Sequence, residues 1–165
     1  MLSNVKTTLG FRFDTNETPQ AAQAPAAGQK QIVQNGFDQS ITLNAGSTPP
    51  AQGVAYMDLA GASGTLDLTN LQTLFGAQSF AGQKLRGVYL VNPNASGNCS
   101  LGQGASNGYA LLGAELVCGP GASPNMPGVA MQFFSNALAA IGGTNKTLDW
   151  VNGTGGSVQV ALVLG

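Results

Sequence analysis

Apolar residues in this chain recur at every second position, in short runs that glycine or proline cuts off. "VKTTLGFRF" (5–13) sets Val5, Thr7, Leu9, Phe11 and Phe13 against Lys6, Thr8, Gly10 and Arg12. "KLRGVYLVN" (84–92) reads as the strongest central strand, closed by the turn cluster "NPNASGN". Period two is strand geometry, and half-buried strands show it as one apolar face. Further candidates are "FDQSITLNAG" (37–46), "GVAYMDLAG" (53–61), "GTLDL" (64–68), "NGYALLGAELVCG" (107–119) and "VAMQFFS" (129–135). "NALAAIGG" (136–143) fits neither period.

The end, "KTLDWVNGTGGSVQVALVLG" (146–165), has the form of a hairpin: "TLDWV", a Gly-rich connection, then Val158, Val160, Leu162 and Leu164 on alternate positions. Ala161 and Val163 make the other face of that strand apolar too. Such a strand is buried on both faces, or its outer face meets a partner. Roughly eight short strands with Gly/Pro turns predict an all-β fold, a β-sandwich or jelly-roll-like domain spanning 1–165.

One segment changes period. In "TNLQTLFG", Leu71, Leu74 and Phe75 stand at i, i+3 and i+4, with Thr69 placed as N-cap and Gly76 as the residue after the end. The spacing predicts one or two helical turns that plug the end of the sandwich, held by packing because a helix this short does not hold itself. "DTNETPQAAQAPAAGQKQ" (14–31) has no period at all. It reads as a long loop or as an extended arm, reaching to residue 36, that takes its structure from a neighbour.

Charge sets the surface. Asp, Glu, Lys and Arg make up 8% of the chain, against roughly 25% in ordinary soluble domains. Amides, hydroxyls and backbone therefore carry the polar surface, and these desolvate at lower cost than ions. That composition suits repeated neutral contacts within an assembly. The net charge is −1, with Lys6, Arg12, Lys30, Lys84, Arg86 and Lys146 scattered, so there is no basic footprint for nucleic acid. No apolar run approaches the roughly 18 residues of a membrane-spanning helix, and no membrane partner is expected. "MLSNVKTTLGFRF" lacks the basic-then-apolar form of a signal peptide, which leads to the expectation of an intracellular origin.

Candidate chemistry is sparse. There is no histidine, which removes the commonest general base, the Ser-His-Asp arrangement and most catalytic zinc sites. Cys99 and Cys118 are the only cysteines and lack a Cys-x-x-Cys spacing; they close a disulfide if neighbouring strands bring their α-carbons within about 7 Å, whereas a reducing cytosol favours two separate buried thiols. Asp58 and Asp67 form the one conceivable carboxylate pair, but acids at strand ends more often cap turns. The glycine runs "GQGASNG" and "NGTGG" lack the Lys-Ser/Thr ending of a phosphate loop. No metal, cofactor or catalytic residue is expected. Asp149 beside Trp150 allows a sugar platform, and Trp150, Tyr89 and Tyr109 are the candidate glycan or interface residues.

The stretch "LDLTNLQTLFGAQSFAGQKLRGVYLVNPNASGN", a Gly-rich hairpin, a Pro-Gly loop and the ending "LDWVNGTGGSVQVALVLG" together resemble a group of small tailed-bacteriophage virion structural proteins, head-associated or decoration-like. In that group an acidic "E-D-L-D-L-x-G" strand leads into a short "L-x-D-x-F-G" helix, an apolar strand, an Asn-rich turn and a closing "G-T-S-V-x-Y-x-V-x-I-x-G". The likeness runs over 56–165. Gly64 and Thr65 stand where the pattern has Glu-Asp, Gln72 and Thr73 replace its helix acid, and 14–53 match poorly. The resemblance implies a non-enzymatic virion component, made in the host bacterial cytoplasm. Together with the neutral surface it leads to an expected homo-oligomer (trimer or pentamer) bound to the major capsid protein or other virion proteins as decoration, cement or head spike. The alternative is a tail or fibre component that binds host glycan.

Overall fold

A computed structural model describes residues 53–74, 76–110, 115–122, 126–134, 138–153 and 155–165. These form ten strands: β1 (Gly53–Ala60), β2 (Ser63–Asp67), β3 (Leu71–Thr73), β4 (Gly76–Gln78), β5 (Leu85–Asn92), β6 (Cys99–Gln103), β7 (Leu116–Cys118), β8 (Gly128–Phe133), β9 (Thr147–Asn152) and β10 (Ser157–Leu164). No helix occurs among the described residues. The candidate strands 5–13 and 37–46 and the arm 14–36 lie outside them.

Two four-stranded sheets carry the domain. The first has the order β1-β10-β5-β8 and the second β2-β9-β6-β7, with every pair antiparallel. Setting aside the small β3-β4 hairpin, the eight remaining strands change sheet at every step except from β6 to β7, which pair with each other; this is the jelly-roll order, two interlocked Greek keys. Alternation along each strand sends one row inward. Ala55, Met57, Val88, Leu90, Val158, Val160 and Leu162 from the first sheet are buried in one core with Leu66, Leu101, Leu148 and Trp150 from the second. Burial of these rows, at about 25 cal/mol per Å² of apolar surface, drives the two sheets together.

Three features differ from the sequence reading. The predicted helical turns at 69–76 are a β-hairpin: Leu71, Gln72 and Thr73 pair with Gln78, Ala77 and Gly76. The amide of Leu74 donates to the Tyr56 carbonyl on β1 (3.0 Å), not to the helical acceptor four residues back, and Gly76 takes φ 98, outside helical geometry. Leu71 reaches the core, but Leu74 is 64% exposed, so the apolar triplet does not act as one plug.

Of 107–119, the described residues supply β7 near the end, and the strand between β9 and β7 in the second sheet is β6 (Cys99–Gln103), to which the sequence reading assigns no strand of its own. The terminal "hairpin" is an arch. Its two strands belong to different sheets, β9 between β2 and β6, β10 between β1 and β5. Each offers an apolar row to the shared core from opposite sides, which adjacent strands of one sheet do not do. Asn152 fixes the joint: its Nδ2 donates to Gly156 O (2.7 Å), its N–H to Ala62 O (2.7 Å), and its carbonyl accepts from Gly155 N (3.1 Å).

Candidate interaction surface

The two outer faces of the sandwich differ in chemistry. On the second sheet, Asp149 and Thr65 are register partners, and Asp149 accepts from Thr65 Oγ1 (2.6 Å) and Ala105 N (2.8 Å). Ser63 and Gly102 continue that polar surface, while the exposed Val117 and Val151 flank and cover the buried Ser100. The outer face of the first sheet is apolar across its width. Tyr56, Ala161, Tyr89 and Met131 stand in one row over all four strands, and Val54, Val163, Gly87 and Phe133 in the next. A third row carries Asp58, Gln159, Val91 and Val129. Asp58 is the one charged side chain in these three rows.

Tyr56 is 48% exposed, Tyr89 39% and Val129 46%. The two tyrosines flank the small Ala161, so the middle of the face is a shallow saddle between aromatic rings. Beside it, Phe133 lies over its partner Gly87, where an added Cβ would sit 3.0 Å from the ring. An aromatic side chain across a glycine shields backbone that a bare glycine exposes. Monomeric proteins seldom leave contiguous apolar faces open, and aromatic and methionine side chains are enriched in interface cores.

The structure separates the three candidate glycan or interface residues. Tyr89 lies on this outer face and is exposed, whereas Val163 and Gly87 in the next row are buried. Trp150 belongs to the inner row of β9 and is buried, while Asp149 points to the opposite side, so the two do not form a platform. Tyr109 is fully buried; its hydroxyl donates to Ala139 O (2.7 Å) and accepts from Leu85 N (3.1 Å), tying two loops to β5. Tyr56 is the aromatic that does share a row with Tyr89, and register across three strands is not written in local spacing.

Asp58 and Asp67 lie on different sheets. Asp67 ends β2 as a turn cap: its carboxylate accepts from Thr69 N (2.9 Å) and Thr69 Oγ1 (2.6 Å), and it pairs with Lys146 (2.8 Å). The bond from Lys146, and then that from Thr69, hold its carboxyl down at about 2. Cys99 and Cys118 are free thiols, both buried, and they face each other across β6 and β7. Burial, and then the neighbouring thiol, push Cys99 up to about 12. Among the described residues, no three His, Cys, Asp or Glu side chains are grouped to hold a metal ion. No family model matches the chain, and comparison with curated proteins and with solved structures finds no match.

Proposed function

We propose that this chain is a non-enzymatic structural component of a tailed-bacteriophage virion, a jelly-roll unit that associates with itself and docks on the capsid as a decoration, cement or head-spike protein. The outer face of the first sheet carries the proposal: four strands wide, apolar, aromatic at its middle and almost without charge. The resemblance over 56–165 supplies the virion, and the low charge of the whole chain fits a surface that is desolvated repeatedly. A closed homo-oligomer, trimer or pentamer, places that face between subunits.

Particles built with the wild-type chain or with Tyr89→Lys test it, with the bound copies counted by quantitative mass spectrometry. The charge on the saddle is expected to remove the protein from particles while leaving the isolated chain folded. Full occupancy by a folded Tyr89→Lys protein contradicts the proposal.

A second reading has one observation in its favour. Tyr56 and Tyr89 are exposed rings on either side of Ala161, with Asp58 and Gln159 in the adjacent row as polar partners. That arrangement fits a host glycan bound by a tail or fibre component. A Tyr89→Ala particle that assembles at full occupancy but no longer adsorbs to cells favours this reading over the first.

A further inference from the structure

The register of β6 and β7 places Cys99 directly opposite Cys118. Opposed residues of an antiparallel pair lie about 4.5–5.5 Å apart at Cα, inside the roughly 4.4–6.8 Å span that a disulfide accepts. Both side chains lie on the same face of the sheet, both are 1% exposed, and each is within reach of the other. The setting is asymmetric. β6 is held on its other side by β9 over five register positions, from Cys99 to Gln103. β7 is the three-residue edge of the sheet and pairs through Leu116, Val117 and Cys118 alone.

We propose that Cys99 and Cys118 are an oxidisable pair that forms a cross-strand disulfide with a small-molecule disulfide, such as oxidised glutathione, as oxidant, pinning the edge strand β7 to β6. The chemistry is two exchanges. One cysteine thiolate attacks the glutathione disulfide, giving a mixed disulfide and one glutathione thiolate. The second cysteine thiolate then attacks the protein sulfur of that mixed disulfide and expels the second glutathione. The protein gives up two protons and two electrons, which one glutathione disulfide takes up to become two glutathione thiols. In the closed fold the raised thiol pKa makes thiolate scarce and burial bars the oxidant, so exchange proceeds when the edge strand opens. The product closes a loop from 99 to 118 and restricts the unfolded chain. This inference does not depend on the virion reading; it rests on register and burial.

The test refolds the full chain from urea in a buffer of oxidised and reduced glutathione, where access to the thiols is not limiting. The folded product is alkylated without reductant and analysed by intact and peptide mass. The expected product has lost two hydrogens, takes no alkyl group, and yields a cross-linked peptide joining Cys99 to Cys118. Its thermal midpoint lies above that of the dithiothreitol-treated protein by roughly 5 °C or more. Cys99→Ser and Cys118→Ser, refolded likewise, leave the remaining cysteine free or carrying one glutathione. A folded wild-type product with two alkylatable thiols, or with a glutathione on each cysteine, overturns the proposal.

Discussion

Trp150 lies against the backbone of its register partner Gly64: a Cβ built on Gly64 would sit 2.7 Å from the indole Nε1 and 3.0 Å from Cε2. The closeness explains why a glycine interrupts β2 and why the chain's one tryptophan is 7% exposed, within the core. A side chain at 64 has to displace the ring. Gly64→Ala is expected to cost about 1–3 kcal/mol, the range for overpacking a fitted core. Urea denaturation gives the loss, and a red-shifted tryptophan emission in the folded protein reports a displaced ring. Unchanged stability and emission contradict the packing described.

Asn92 ends β5 fully buried with its amide satisfied on both sides. Its Nδ2 donates to Gly97 O (3.0 Å) and Gly119 O (3.1 Å), and its Oδ1 accepts from Asn94 N (3.1 Å) and Asn94 Nδ2 (2.9 Å). One side chain thus joins the turn before β6 to the end of β7. Asn92→Ala removes all four of these hydrogen bonds, each worth about 0.5–1.5 kcal/mol net. The expected total is about 3 kcal/mol in denaturant unfolding. A loss under about 1 kcal/mol would mean water replaces the amide at little cost.

Tyr109→Phe removes a hydroxyl that both donates and accepts in the core. The ring still fills its site, so the change isolates the hydrogen bonds. A loss of about 1–3 kcal/mol is expected, with faster hydrogen exchange at the Leu85 amide. Protection at Leu85 equal to wild type is the contrary result.

The Asp67–Lys146 pair sets an acid limit. Because the folded carboxyl titrates near 2, below its usual 3.8, its stabilising contribution is complete above the unfolded value. It fades as pH falls from about 4 toward 2, because protons then bind the unfolded chain more readily. Denaturation midpoints measured from pH 5 to pH 2 are expected to fall less in Asp67→Asn than in wild type. Parallel curves contradict the pairing. The side chains are about one-third exposed, so added salt weakens the difference.

The layout of the sandwich was legible where a strand carries its own signal. Residues 84–92 and 157–164 read as strands because Val88 and Leu90, and Val158, Val160 and Leu162, alternate without interruption. β6 carries no such signal: "CSLGQ" holds one large aliphatic residue and a glycine, and its strand state comes from bonding to β9 and β7 on both sides. The leucine spacing of 71–75 suits a helix or a hairpin equally, and the Tyr56 carbonyl, distant in sequence, decides it. Asp67 was legible as a cap because it ends a strand candidate, whereas its bond to Thr69, read as a helix cap, and its pair with Lys146, 79 residues away, were not. The apolar outer face was half legible. Ala161 and Val163 announced a second apolar side to β10, but that Tyr56 and Tyr89 join them depends on registers that only the folded sheet fixes.

Self-association through that face is the central claim, and light scattering across a wide concentration range tests it most directly, with wild-type chain beside the double variant Tyr56→Lys/Tyr89→Lys. Circular dichroism confirms that both are folded. The wild type is expected to hold one fixed multiple of the 16.6 kDa chain mass as it is diluted, and the double variant to scatter as a folded monomer. A wild-type chain that is monomeric at every concentration, or a double variant with the wild-type mass, contradicts it.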